Sequence, residues 1–585
     1  MAKHPVPGSA AVALPKLCGA DIELGNFIVG LDQARGTGYQ ASRALLAEIS
    51  GLPLRPYGYY DSGYNGYGYY SRGYTAHSYG GTGHGGNGRG EKGSYGYGLT
   101  TLSTTHAEED ARGTGTCGSS SLPAYNPQDV SRRFLASNGG CAYIDLDHVE
   151  LCLPEVLSAF DHMAAWHSML RIMRTALTAA NETQPAGRRI QVLVNNSDGR
   201  GNSYGSHLNF LIGRRTFDNL FYRKAHHLQF LASFQVSGIL LTGQGKVGAE
   251  NGRPSTPYQI SQRADFCATL QGLQTTYDRP IINSRDEHLC GRARFDDPAA
   301  PARLHVIFFD SALAHGSALF RVGPMQLILT LIELGLVNSR LILDDPLEAL
   351  IAYSHDPTLQ ARAGLISGER LTALELQSAY LEEVQRYAAQ GVFEGIVPRA
   401  GEIIALWQDT VEKLAAGNWR AAAPRLDWMM KLMAIERTLD ERPELGWDSP
   451  EIKVIDHLYS SLDADGLYWA YEASGFAEQL VTPERIDHFT SNPPSDTRAW
   501  TRTMLLRRAG PDRVVSVDWD VMTFKLRGRY NWPVHRTLDL ANPLAATEAE
   551  MQSIFARNEN FEDLIDALDA HLTRGVPPVK TRLAN

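Results

Sequence analysis

The chain has 585 residues, 43% of them hydrophobic and 21% charged, with a formal net charge of -10. These proportions exclude a disordered, collagen-like or coiled-coil chain and leave room for roughly two to four domains, or one large domain with an appendage. The acidic balance, with an isoelectric point near 6.0, excludes a surface built to neutralise nucleic-acid phosphates, so no nucleic-acid partner is expected.

In chain order, Met1 to Leu14 carry an early lysine and two prolines and lack the apolar core of a signal peptide. Residues 19–29 (GADIELGNFIV) alternate acidic and apolar side chains, which predicts a strand whose wet face carries Asp21 and Glu23. Residues 57–98 interleave tyrosines from Tyr57 to Tyr97 with glycines and almost no aliphatic residue. Such a composition buries no core and predicts a flexible insertion, continued by a Ser/Thr/Gly-rich stretch to Ser121. It is either a tyrosine-faced loop that senses substrate or self-associates, or a tolerated surface insertion. Residues 142–151 (AYIDLDHVEL) predict a second acidic strand, with Asp145, Asp147 and then Glu150. Further strands are predicted at Arg189 to Val194, Asn209 to Ile212 and Leu304 to Phe309. Helices are predicted at Pro154 to Ala179, Met325 to Leu336, Leu371 to Gln390, Gly401 to Ala416 and Ala422 to Ile435. A strand-rich first half and helix-rich second half predict an α+β fold, an antiparallel sheet backed by helices. The Pro-Pro of NPPSDTRAW, starting at Asn492, marks a boundary between a large domain over 1–490 and a small C-terminal domain over 491–585. The longest apolar run, Met325 to Val337, is too short to span a bilayer and contains Glu333, so no membrane partner is expected. Six cysteines without paired spacing (Cys18, Cys117, Cys141, Cys152, Cys267, Cys290) read as reduced thiols of a cytoplasmic protein.

Three groups of residues carry chemistry. The carboxylates of the two acidic strands are either a site for Mg²⁺, whose hard-oxygen preference suits ATP phosphates, or ordinary solvated strand faces. Asn195 to Phe210 (NNSDGRGNSYGSHLNF) is a Gly/Asn/Ser-dense connection that presents His207 at a strand start. It reads either as a ligand loop or as a turn with a hydrogen-bonded histidine, and it matches neither the Walker A nor the dinucleotide fingerprint. Arg263, Arg285 and Arg303, with Asp265, Asp286 and Glu287 nearby in sequence, offer planar forks either to an anionic ligand or to a structural ion-pair network.

Taken in order, these stretches resemble the glutamine-synthetase-like enzymes of the Pup-proteasome system, the depupylase/deamidase and its sister, the Pup ligase. GADIELG is similar to that family's GTEVEYG, YIDLDHVELCLPE to YVDHAHPEYSSPE, and NNSDGRGNSYGSHLNFL to NNVDGKGASYGSHENYL. SQRADF, RPIINSRDE, RLHVI, NPPSDTRAW and a C-terminal VDW complete the series. The depupylase branch is the nearer one, because the Asp145 to Glu150 spacing matches without a gap and the Tyr/Gly segment stands where that branch has a long loop. The resemblance implies a glutamine-synthetase-like catalytic domain that binds ATP and Mg²⁺. Asp21, Glu23, Glu150, His207 and His305 would hold metal, with Tyr143 beside it. Asp145 would be the catalytic aspartate, Trp519 would lie against the adenine and Arg303 near the nucleotide, with Arg263 and Arg285 toward substrate. The implied partner is a small Pup-like protein modifier or its conjugates. The implied reaction is cleavage of a glutamine amide or a glutamyl-lysine isopeptide bond, ATP serving as a cofactor. The runners-up are Pup-type ligation and a non-catalytic nucleotide-binding regulator.

Three departures bear on that expectation. The first metal position is Asp21 instead of glutamate, one methylene shorter. Leu208 replaces the glutamate of SHEN. Cys141 stands where the family has an ATP-contacting arginine, a loss that Arg132 or Arg133 would have to offset.

Overall fold

A computed structural model describes residues 13–31, 37–49, 52–53, 132–287, 289–290, 300–528 and 532–573. The Tyr/Gly-rich segment with its continuation, Cys117 and the first twelve residues lie outside the described residues.

The centre of the fold is an antiparallel sheet. Its strands are β1 (Cys18–Val29), β2 (Leu52–Pro53), β3 (Arg133–Phe134), β4 (Cys141–Asp145), β5 (His148–Cys152), β6 (Arg189–Leu193), β7 (Ser206–Gly213) and β8 (Pro301–Val306). They follow the order β8-β7-β1-β5-β4-β3-β2, and β6 pairs with the far half of β1. The period-two alternation of β1 sends Ala20, Ile22 and Leu24 into the core and leaves Asp21 and Glu23 on the other face. β7 repeats the division, with Leu208, Phe210 and Ile212 inside and His207 and Asn209 opposite.

Helices α1 (Gly38–Glu48), α2 (Ala159–Glu182), α3 (Ala225–Thr242) and α4 (His315–Glu333) pack with the apolar face in one continuous core. Each fully buried Leu, Ile or Phe there contributes roughly 1.5–3 kcal/mol. Ser158 caps α2, its Oγ accepting from the Phe160 amide at 3.2 Å. The α+β expectation holds, and so does the antiparallel sheet. No helix among the described residues is long and apolar enough to cross a membrane.

The predicted single strand over 142–151 is instead a hairpin, β4 and β5 joined at Leu146 and Asp147, with Asp145 facing His148. Leu146 takes φ 53°, the left-handed conformation a tight hairpin turn needs and a leucine rarely adopts. The two-residue turn shifts the side-chain phase. Residues 145 and 150 would face opposite sides of an unbroken strand, and in the hairpin they share one side.

After Asn492 the chain forms a helix (Ala499–Ala509), three antiparallel strands (Val514–Val517, Val521–Arg527, Pro533–Asp539) and two helices (Glu548–Arg557, Phe561–Thr573). Phe524, Leu538, Met551 and Leu564 centre a second core that also takes in Phe134, Cys141 and Cys152 of the main sheet. Buried ion pairs fasten the two together. Glu155 accepts from Arg498 Nε at 2.7 Å and from Arg502 Nη2 at 2.7 Å.

Candidate active site

The wet face of the sheet is built in rows by strand register. Glu23, Glu150 and Tyr143 are successive Cα partners across β1, β5 and β4, and the next row runs through His207, Asp21, Cys152 and Cys141. Oxygens of Glu23, Asp145 and Glu150 lie within 4.8 Å of one another, the one such metal-ligating trio among the described residues. Glu150 is buried, and its carboxylate accepts a 2.6 Å hydrogen bond from the Tyr143 hydroxyl. Burial first, and then the charges of Asp21, Glu23 and Asp145, push the Glu150 carboxyl well above its ordinary range. Three converging carboxylates are a donor set for a hard divalent cation such as Mg²⁺ rather than a thiophilic metal.

Asp21 turns toward a second group. Its Oδ2 lies 2.6 Å from His207 Nδ1, and its Oδ1 accepts from Asn209 at 3.3 Å. Burial works against its charge, but His207, Arg303 and Asn209 outweigh that and hold the Asp21 carboxyl below its ordinary value. His305 meets His207 edge to face, ring centres 5.1 Å apart. Burial, with Arg303 and His207 adding to it, keeps His305 neutral well below the usual histidine range, a state able to offer a lone pair. Arg303 donates to Asn209 at 2.7 Å and pairs with Glu287. Leu208 points into the core behind the sheet, so it removes no group from this face.

Several supporting residues carried no signal in the sequence pattern. Asn26 is buried and clamps the β4–β5 hairpin: its Oδ1 accepts from Val149 N at 3.0 Å, and its Nδ2 donates to Asp147 O at 3.2 Å and Ser42 Oγ at 2.9 Å. The Gly205 amide donates to Glu23 Oε2 at 2.7 Å. A Cβ at Gly205 would run into His207 and stand 2.9 Å from Glu23 Oε1. Gly205→Ala is therefore expected to displace both groups and lower turnover by about 10²-fold with the thermal midpoint nearly unchanged; wild-type rates would show that the neighbours relax without consequence.

Arg263 donates to Tyr204 O at 2.5 Å, and Arg279, also missed in the sequence, donates to Ser203 O while its buried Nε has no partner. Both guanidiniums sense Glu23, and burial first, then Arg263, lowers Arg279 to about 10. Two adjacent buried arginines make an anion-attracting wall beside the trio. Arg285 is drawn away from it, half-exposed and 3.5 Å from Glu287. Trp519, in the turn between the first two C-terminal strands, meets Phe134 edge to face at 5.3 Å and lies under the Arg502 guanidinium at 4.9 Å.

Comparison with known proteins identifies the family and the fold. Residues 91–523 match the family described as Pup-ligase protein. The Pup deamidase/depupylase of Mycolicibacterium smegmatis is 35% identical over 423 residues, covering 72% of this chain and 81% of that one. The Pup–protein ligase of Acidimicrobium ferrooxidans is 31% identical over 430 residues, covering 72% and 89%. The solved structure of the Pup ligase PafA in complex with ADP aligns with a TM-score of 0.63 at 25% identity, covering 83% of this chain and 98% of that one. A family match over most of the chain, relatives at 31% and 35% identity and a shared fold lead to the same conclusion: this chain belongs to the Pup-ligase protein family.

Proposed function

We propose that the protein is an ATP- and Mg²⁺-dependent hydrolase of a glutamine side-chain amide, or of a glutamyl-lysine isopeptide bond, in a Pup-like modifier. The observation that carries this reading is the convergence of Asp145 with Glu23 and Glu150 within 4.8 Å. The relatives support it by their names, which cover Pup deamidation, depupylation and ligation, and the ADP-bound relative supports a nucleotide.

In this reading Glu23 and Glu150 hold Mg²⁺, with Tyr143 orienting Glu150 through its hydroxyl, and His207, His305 and Asp21 complete the set. The bound cation and nucleotide would supply neutralising charge and an ordered phosphate group. Asp145, at the hairpin tip, acts on the reacting carbonyl as nucleophile or as base toward water. Arg263 and Arg279 hold the oxygen that gains negative charge, and Arg303 and Trp519 serve the nucleotide. Residues 491–585 act as a C-terminal domain that brings Trp519 against Phe134 of the sheet. The overall change is amide plus water giving carboxylate plus ammonia, or plus the freed lysine amine.

Cleavage is favoured over ligation by the gap-free Asp145 to Glu150 spacing, and ligation remains the second reading because ligases of the family align over a similar share of the chain. Incubation with Mg-ATP and a small protein ending in Gly-Gly-Gln is expected to release ammonia and convert the terminal amide to acid, followed by mass spectrometry. Conjugation of a Gly-Gly-Glu protein to lysine with stoichiometric ADP release, and no amide hydrolysis, would replace this reading with ligation. Neither reaction would leave a binding protein without turnover.

A further inference from the structure

We propose that Arg132 grips the phosphate chain of the bound nucleotide, an assignment that rests on the nucleotide reading above and names the residue that does the holding.

The guanidinium of Arg132 lies 5.0 Å from the ring centre of Tyr143. Tyr143 in turn donates to Glu150, a member of the carboxylate trio. On its other side Arg132 Nη1 is 3.6 Å from Asp518 Oδ1, an ion-pair distance longer than a hydrogen bond, and Asp518 precedes Trp519. The cation thus stands between a cluster suited to Mg²⁺ and an aromatic ring suited to a base. A nucleoside polyphosphate bridging those two ends passes its phosphates across this point.

The arginine also has donors to give. Its Nε is buried without a hydrogen-bond partner, and its side chain keeps 18% exposure, so a ligand can reach the fork. A planar fork matches phosphate oxygens in pairs. Its one carboxylate neighbour has another partner, since Asp518 Oδ1 accepts from the Trp519 amide at 2.8 Å. Adjacent groups do not compete for the role. Arg133 donates to Ile49 O at 3.0 Å, and Cys141 is a fully buried neutral thiol.

Calorimetric titrations of the full chain with Mg-ATP and with adenosine separate the possibilities. Arg132→Gln is expected to weaken Mg-ATP binding at least about tenfold and to leave adenosine binding as in wild type, the loss of a charge-assisted contact confined to the phosphates. Arg132→Lys, which keeps the charge without the fork, is expected to fall between. Asp518→Asn is expected to bind Mg-ATP as well as wild type or better. Wild-type Mg-ATP affinity in Arg132→Gln would overturn the assignment. So would equal losses for ATP and adenosine, or an Asp518→Asn variant that reproduces the Arg132→Gln defect, since each marks a structural ion pair. A wild-type protein that binds no Mg-ATP would overturn the nucleotide reading and this assignment together.

Discussion

Asp145→Asn is expected to lower turnover by at least about 10³-fold while the fold and the nucleotide affinity persist. The amide is nearly isosteric with the carboxylate, and the backbone around it is held from elsewhere: Asn26 and Ser42 both donate to Asp147 O, Ser42 at 2.7 Å. The hairpin therefore keeps its shape when the charge is removed. Because Asp145 shares the carboxylate trio, its effect has two sources that one titration separates. If the oxygen reacts with substrate, turnover stays lost at saturating Mg²⁺. If it serves only as a cation ligand, the variant shows weaker Mg²⁺ binding and recovers its rate as Mg²⁺ is raised, and that recovery would remove Asp145 from the chemistry.

The largest structural effect is expected from Glu155→Gln. Both Arg498 and Arg502 are buried and place their guanidiniums on this one carboxylate, with main-chain carbonyls such as Leu540 O (2.9 Å) and Trp519 O (3.0 Å) taking further donors and the Arg502 Nε left without a partner. Burial alone would raise the Glu155 pKa, but Arg502 and Arg498 outweigh it and hold it down to about 2. Removing the charge leaves two buried guanidiniums uncompensated, a cost of about 3–5 kcal/mol. Native-state hydrogen exchange should register this as faster opening of the elements from Ala499 onward; protection equal to wild type would mean the carbonyls suffice. The same pair sets an acid limit. A carboxyl whose folded pKa is depressed binds its proton more readily unfolded, so the stability it contributes is complete above the ordinary 4.5 and is lost as pH falls toward 2.

What could be read from the sequence was whatever alternates. The strand over 19–29 matches β1 within one residue, because a half-wet strand writes its two faces into its residue order. The hairpin over 142–151 hid itself, since its turn consists of Leu146 and Asp147, which continue the alternation, and it lacks the glycine or asparagine that marks most such turns. Helix α3 has no polar stripe to detect, being buried on nearly all sides. Helix α4 begins at His315, ten residues before the predicted start at Met325, because Pro324 reads as a breaker and the surrounding core overrides it. In the site, carboxylates and histidines announced themselves by type. Asn26, Gly205 and Arg279 did not, because their value lies in what a distant strand brings against them, a matter of three-dimensional register rather than local order.

The position of β1 has a consequence for biosynthesis. It is the middle rail of the sheet, yet its neighbours β5, β6 and β7 begin at His148, Arg189 and Ser206. At about 5–20 residues per second, on the order of ten seconds separates the synthesis of β1 from that of its first partner. Through that interval Ile22, Leu24 and Ile28 have no sheet to cover them, and the edges of β1 stay open to pairing with other chains. Long-range antiparallel pairing of this kind folds slowly, so the yield of soluble protein should depend on translation rate and chaperone supply more than on the stability of the finished sheet.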